Sequence, residues 1–261
     1  MNSRFNTAVE TKIKLLGDFE LLIDGNPVKV SAQKSKALLA WLACHKAQPQ
    51  PRDRLVGLLW ADRSEANAKA SLRQSTAGLR KLSDQLLISE TRTLALGPDV
   101  QSDVEQFKQC EAAADLASLR TCLGLYQGHL LDGFSAQSGP FEEWLLVERE
   151  ALRRIALQNF ERLLELEREA GDLTAAIAVA GRLLTLDPLQ EHIHRKLMQL
   201  YVEQGQLGSA RRQFQQLKQL LEKELNVAPS RETLALLQTI GQTSSREEKV
   251  EAVGSATTSR P

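Results

Sequence analysis

From Lys12 the chain alternates short apolar runs, IKLL, FELLI and VKV, broken at Gly17-Asp18 and at Asp24-Gly25-Asn26-Pro27. Apolar runs of this length bounded by turn residues predict strands joined by a hairpin. Ser31 then sits as a cap before SAQKSKALLAWLACHKA, where Ala37, Leu38, Trp41 and Leu42 recur at helical spacing, and the breaker Gln48-Pro49-Gln50-Pro51 ends the helix. Trp41 belongs to that apolar stripe and reads as core. A second, shorter helix starts at Pro51 or Arg52 and turns Leu55, Leu58 and Leu59 inward. Ser64 is placed to cap a third helix running to about Ser83, with Glu65 in the first turn, where the helix dipole favours an anion. Leu86-Leu87-Ile88 and Thr93-Leu94-Ala95-Leu96, joined through Ser89-Glu90-Thr91-Arg92, predict a β-hairpin behind it.

The third helix carries the most informative pattern. Lys69, Arg73, Thr76 and Arg80 follow at steps of 4, 3 and 4. At 100° per residue they fall within about 60° of one another, while Ala68, Leu72, Ser75, Leu79 and Leu82 gather roughly a quarter-turn away. One face packs and the other offers cations. Two readings stand: a solvated charged face, or a surface for phosphate oxygens and guanine edges. Strands, helix, short helix, basic helix and hairpin occur in the order of a winged helix, whose third helix enters the major groove and whose wing lies on the backbone. Arg92 then falls near the wing tip, as a backbone contact or as a solvated turn residue.

Beyond residue 100 the pattern is helical throughout and repeats itself. A shift of 34 aligns Leu163 with Leu197, Leu166 with Leu200, Gly171 with Gly205, Leu173 with Leu207, Ala176 with Ala210 and Leu183 with Leu217. That is the tetratricopeptide period. Two repeats are fewer than a free-standing stack needs, so residues 103 to 125 and 140 to 156, bearing Phe107, Leu116, Leu119, Leu123, Trp144, Leu145 and Leu152, are expected to complete it. A last helix is capped by Ser230, and the polar stretch after Ile240 has nothing to bury.

Composition changes the picture at one point. The 261 residues carry no formal net charge, yet residues 1 to 100 hold 15 Lys and Arg against 10 Asp and Glu, and the rest hold 18 against 23. The two parts are therefore +5 and −5. From Arg63 to Lys81 five cations face Glu65 alone, which favours a polyanionic partner. Cys44, Cys110 and Cys122 form no CxxC pair and read as buried free thiols of a reducing compartment. With no leader-like segment and no long apolar window, the expectation is a cytoplasmic protein with no membrane contact.

Motifs of catalysis are missing. There is no GxxxxGK[ST], GxSxG or HExxH, and Gly128 to Gly133 is followed by Phe134. His192 and His194 are about 200° apart on a helix, too divergent to share a metal, and read as surface or interface histidines. Glu142, Glu143, Glu148 and Glu150 read as solvated faces. The chain is expected to be no enzyme and to use no cofactor or metal.

Taken together, KLLGDFELLIDG, LVGLLW, SLRQSTAGLRKL, YQGHLL, EEWLLVERE, LDPLQEHIHRKLMQLYVEQGQ and ELNVAPS resemble the SARP-type bacterial transcriptional activators over about residues 12 to 240. The resemblance implies a mainly α chain: an α+β, OmpR-like winged helix-turn-helix at 12–100, then an all-α, tetratricopeptide-like bacterial transcriptional activator domain at 101–240. Residues 1–11 and 241–261 are expected to be disordered. It implies sequence-specific binding of double-stranded DNA at promoter repeats and recruitment of RNA polymerase. The helical half is expected to self-associate, as a homodimer on DNA, or to contact polymerase. The family's recognition helix maps onto Glu65 to Leu82, so Lys69, Arg73, Thr76, Arg80 and Lys81 inherit the DNA-facing role, with Arg63 and Arg92 beside them. Thr76 can touch a thymine methyl, a phosphate or only water. Asn226 stands where the family carries glycine, as a residue that tolerates the left-handed conformation. Gly78 interrupts the helix, for close approach to DNA or for packing on the sheet. The rival class is a non-enzymatic scaffold whose winged helix and repeats both bind protein.

Overall fold

The computed structural model describes residues 10–242, apart from Ala47 and Ala114. Residues 1–9 and 243–261, most of the two segments expected to be disordered, lie outside the described residues. Within those segments Thr11 is already a buried strand residue, and 241–242 still belong to a helix. The described chain is mainly helical with two small sheets. It divides into two compact units, one ending at Ala156 and the other starting at Leu157.

In the first unit, β1 (Thr11–Lys14), β2 (Glu20–Ile23) and β3 (Asn26–Pro27) form an antiparallel meander. Its tight turn uses Asp24 and Gly25, both at positive φ (49° and 75°), the geometry that matches strand twist. β7 (Val100–Ser102) pairs parallel to β1 on the far side, Thr11 opposite Val100, in the order β3-β2-β1-β7. The second sheet has the order β4-β6-β5, from β4 (Gln50–Pro51), β5 (Leu87–Ser89) and β6 (Thr93–Leu96). β4 lies inside the stretch expected to be only a breaker. Proline lacks the N–H a central strand must donate, so Pro51 is tolerated at this sheet edge.

Three helices fill the space between: α1 (Gln33–Cys44), α2 (Arg52–Leu59) and α3 (Glu65–Arg80). Ala37 to Ala43 are all buried, which makes α1 the central helix. Its N-cap is Ala32 rather than Ser31, without a side-chain bond. Ser64 does hold the N-cap position of α3, but only its carbonyl takes part, accepting from Ala68 N at 2.9 Å. Trp41 is core, as its stripe predicts, stacked on His45 at 4.2 Å and donating from Nε1 to Gln50 Oε1.

α4 (Asp103–Lys108), a 3-10 turn (Gln109–Ala112) and α5 (Leu116–Leu123) follow. Here the expectation of free thiols fails for two of the three cysteines. The turn brings Cys110 beside Cys122, Cα to Cα 5.6 Å, and they form a disulfide. Two cysteines 12 apart carry no pairing signal until a turn folds one back on the other. Cys44 is free, and burial pushes its thiol well above the usual range. The segment after α5 docks on the end of β1, Leu131 N donating to Leu15 O at 2.7 Å, and Arg149 of α6 (Gly139–Glu169) donates to Leu130 O. Two carboxylates read as solvated are engaged instead: Glu142 accepts from Ala136 N at 2.7 Å, and Glu148 pairs with Lys108 at 2.7 Å.

α6 extends past residue 157. The second unit takes its last part, α7 (Leu173–Leu186), α8 (Glu191–Glu203), α9 (Leu207–Leu225) and α10 (231–242). The repeat is visible in the backbone. Gly171 and Gly205 both take positive φ (78° and 74°), α7 and α9 start two residues after each, and Ala176 and Ala210 are fully buried. Met198, Ala210, Phe214 and Ile240 share one core cluster. Asn226 ends α9 in the left-handed region (φ 54°, ψ 42°), as its place in a glycine position implies. Ser230 Oγ caps α10 through Thr233 N.

Candidate nucleic-acid interface

α3 is held by four buried residues, Ala68, Leu72, Thr76 and Leu79, which pack it against the rest of the first unit. Their spacing of 4, 4 and 3 leaves the opposite side bare. α2 packs across α3, and its first residue, Arg52, ties it to the β5–β6 hairpin. Arg52 donates from Nε to Glu90 O at 3.0 Å and from Nη2 to Ser89 Oγ, while its backbone N donates to Arg92 O at 3.0 Å. The turn is closed by Glu90 N to Thr93 O and by Thr93 Oγ1 to Glu90 Oε2. The position of the hairpin relative to α2 is thus fixed by hydrogen bonds as well as by packing.

Between hairpin, α2 and α3 opens a cleft of about 770 Å³, lined by Lys69, Arg73, Arg52 and Arg92 together with Asp53 and Glu90. The sequence places Lys69 and Arg73 on the third helix and Arg92 on the hairpin, and the fold brings all three to one cleft. Lys69 is engaged locally: its ammonium meets Glu65 Oε1 at 2.5 Å and Asp53 Oδ1 at 3.6 Å. The hydrogen bond to Glu65, then the charges of Glu65 and Asp53, hold it above the usual lysine range. Arg73 keeps its guanidinium exposed apart from a 3.4 Å bond from Nε to Lys69 O.

The other expected residues stand elsewhere. Arg80 closes α3, and Lys81 is its C-cap; both are exposed but do not line the cleft. Arg63, exposed before the helix, folds back so that Nη1 donates to Ser71 Oγ at 2.8 Å. Thr76 corrects the stripe. It is 5% exposed, and its hydroxyl donates to Leu72 O at 2.8 Å, so it faces the core rather than solvent. The buried arc of α3 is centred between the two faces that spacing suggested, and takes Thr76 in place of Ser75, which is only half-buried. Gly78 is not a packing glycine: a Cβ there would meet nothing within 4 Å.

The sequence pattern passes over Arg52, which ties the hairpin to α2, and the neutral Gln74 of α3. Arg52 lay hidden behind the Pro-rich breaker, and its role depends on a hairpin almost 40 residues away. Gln74, exposed on α3 beside Arg73, carries no charge and so never entered the stripe. His194, expected at a surface or interface, is buried in the second unit; its Nε2 lies 2.9 Å from Pro188 O and its Nδ1 2.6 Å from Gln213 Nε2. His192 remains at the surface, 3.4 Å from Glu161. No group of three or more His, Cys, Asp or Glu placed to hold a metal occurs among the described residues. Nor is any described helix long and apolar enough to cross a membrane.

Residues 99–241 match the model of the family described as bacterial transcriptional activator domain. Against curated proteins the chain is similar to regulatory protein AfsR of Streptomyces coelicolor, 27% identical over an aligned length of 229 that covers 82% of this chain and 22% of AfsR. It is also similar to transcriptional regulatory protein MoaR1 of Mycobacterium tuberculosis, 25% identical over 86% of this chain and 77% of MoaR1. The chain thus spans less than a quarter of AfsR but most of MoaR1. The solved structure of Mycobacterium tuberculosis EmbR in complex with a low affinity phosphopeptide shares the fold, with a TM-score of 0.66 at 23% identity over 95% of this chain and 70% of that one.

Proposed function

We propose that this chain, which belongs to the SARP-type bacterial transcriptional activator family, regulates transcription by binding promoter DNA in a sequence-specific manner through α3 and the β5–β6 hairpin. The first unit then acts as an OmpR-like winged helix: α3 enters the major groove, and the hairpin, held by Arg52, serves as the wing on the backbone. One observation carries the reading. The cleft between α3 and the hairpin gathers cations from three elements, and Arg73, Arg92, Arg80 and Lys81 form no ion pair among the described residues. Cations left unneutralised on one surface suit a polyanion, whose condensed counterions they displace. Thr76 has no part in this contact.

The tetratricopeptide-like second unit, by the same reading, contacts RNA polymerase or a second copy of the chain on repeated promoter elements. Such a partner places the protein in the cytoplasm, with a binding role and no catalysis. A salt titration of the full chain with duplex DNA tests the central step. About four phosphate contacts give a log-log slope near −4, at about −0.9 per phosphate on B-DNA. A slope near zero, or binding indifferent to the Arg73→Ala/Arg80→Ala double variant, refutes it and favours the scaffold reading.

A further inference from the structure

We propose that Gln74 is the base-reading residue of α3, recognising an adenine in the major groove, while the arginines beside it hold the backbone. This deepens the DNA-binding reading and rests on it. The buried residues Ala68, Leu72, Thr76 and Leu79 fix the inward direction of the helix. At 100° per residue, the direction opposite to them falls within about 35° of Ala70, Gln74, Ala77 and Lys81. Lys69, Arg73 and Arg80 lie about 75° to 115° round from that direction. The basic stripe is therefore a flank, and Lys69 and Arg73 accordingly line the cleft toward the hairpin.

A helix lying in the major groove turns its outward centre to the base edges and its flanks to the sugar-phosphate walls. Of the four central residues, Ala70 and Ala77 have no polar side-chain atom, and Lys81 is already the C-cap. Gln74 is left as the one that can read a pattern. Its carboxamide is exposed and has no hydrogen-bond partner among the described residues. One acceptor and two donors on a planar group match the N6 donor and N7 acceptor of adenine. Alanines one turn to each side, and open space at Gly78, let the backbone come close enough for a side chain of this length to reach.

The test begins with a duplex selected from a random pool by the full chain. Affinities are then measured with each base pair replaced, for the native chain, Gln74→Ala and Gln74→Glu. The native chain should prefer one A·T pair by about 5- to 150-fold. Gln74→Ala should lose that preference alone, with binding to random duplex and the salt slope unchanged. Gln74→Glu should move it toward C·G, since a carboxylate accepts from cytosine N4. Replacing that adenine by 7-deazaadenine should weaken the native chain and leave Gln74→Ala unaffected. A Gln74→Ala variant with the native preference at every position overturns the assignment while DNA binding stands. Failure to select or bind any duplex overturns the DNA-binding reading itself.

Discussion

The cations of α3 and those at α8 of the second unit are spent in opposite ways. In the second unit Lys196 of α8 reaches Glu165 of α6, and Arg168 of α6 meets Glu203 of α8 at 2.6 Å. Arg195 of α8 donates to Ser230 Oγ and Thr233 Oγ1, each at 3.3 Å, at the start of α10. These charges join one helix to the next. On α3 only Lys69 is paired among the described residues, with Glu65 one turn back at 2.5 Å and more loosely with Asp53 of α2 at 3.6 Å. Arg73, Arg80 and Lys81 have no anion within reach among the described residues. A cation that joins nothing in the fold contributes little to stability, so its presence in number on one helix needs an explanation outside the chain. Counting charges along the sequence could not separate these two uses; partnering does.

The sharpest way to break the comparison is to remove the unpaired cations. The Arg73→Ala/Arg80→Ala variant should lose at least about 100-fold in affinity for a selected duplex, since each charge-assisted bond contributes about 1.5–3 kcal/mol. The log-log salt slope should fall by about 2, at about 0.9 for each phosphate lost. Its melting temperature should stay close to native, because exposed substitutions away from packed features usually change stability by less than about 0.5 kcal/mol. Arg168→Ala is the matching change in the second unit, and duplex titration should find its binding native. If the α3 variant melts early and binds normally, the contrast between the two regions is wrong.

Next in size is the carboxylate that organises α8 and α10. Glu191 Oε1 accepts from Ser230 N at 2.7 Å and from Thr233 Oγ1 at 2.5 Å, and Thr233 is fully buried. Glu191→Ala leaves those donors without their acceptor and should cost about 1–3 kcal/mol in urea unfolding, with duplex binding unchanged. Desolvation raises the Glu191 carboxyl, but the bonds from Thr233 and Ser230 outweigh it and set it below the usual range. A depressed carboxyl contributes stability above its unfolded value, about 4.3, and loses it as pH falls through the folded value.

His194 titrates earlier on the same descent. Burial lowers its folded pKa, against a raising bond to Pro188 O and the charge of Glu191. The neutral ring, with hydrogen on Nε2, donates to Pro188 O and accepts from Gln213 Nε2. The unfolded chain therefore takes up the proton first. Stability is full above the unfolded value of about 6.5 and declines as pH falls below it. Urea midpoints followed by helical circular dichroism should fall from pH 7 to pH 5, and His194→Asn should flatten that decline. A native slope in His194→Asn would show that this histidine is not the group responsible.

Much of this was legible from residue order, and the failures have physical causes. Apolar spacing marks α1, α2, α3 and the β5–β6 hairpin because each is built from neighbours in sequence. The 34-residue offset survives in the paired positive-φ glycines and buried alanines of the second unit. What stayed hidden depends on distant partners: Pro51 pairing at a sheet edge with Thr93, Arg52 holding the hairpin, and Cys110 meeting Cys122 across a turn. The site was half visible for a related reason. Charge drew attention to Lys69, Arg73 and Arg80, whereas the true inward direction of α3, and with it the place of Gln74, needed the burial of Thr76.

Thr76 offers the finest cut between the two faces of α3. Its hydroxyl donates to Leu72 O at 2.8 Å, inside a helix where that carbonyl also accepts the backbone N–H four residues on. Removing the hydroxyl in Thr76→Val therefore leaves no carbonyl unsatisfied and keeps the β-branched shape in the core. Stability should change by less than about 1 kcal/mol, because losing a bond is nearly neutral when no buried polar group is orphaned. Binding to the selected duplex and the preference at each base pair should both stay native. An affinity loss of about tenfold without a shift in melting temperature would return Thr76 to the DNA-facing side, and would turn α3 toward the hairpin, with Arg73 rather than Gln74 at the centre of its contact.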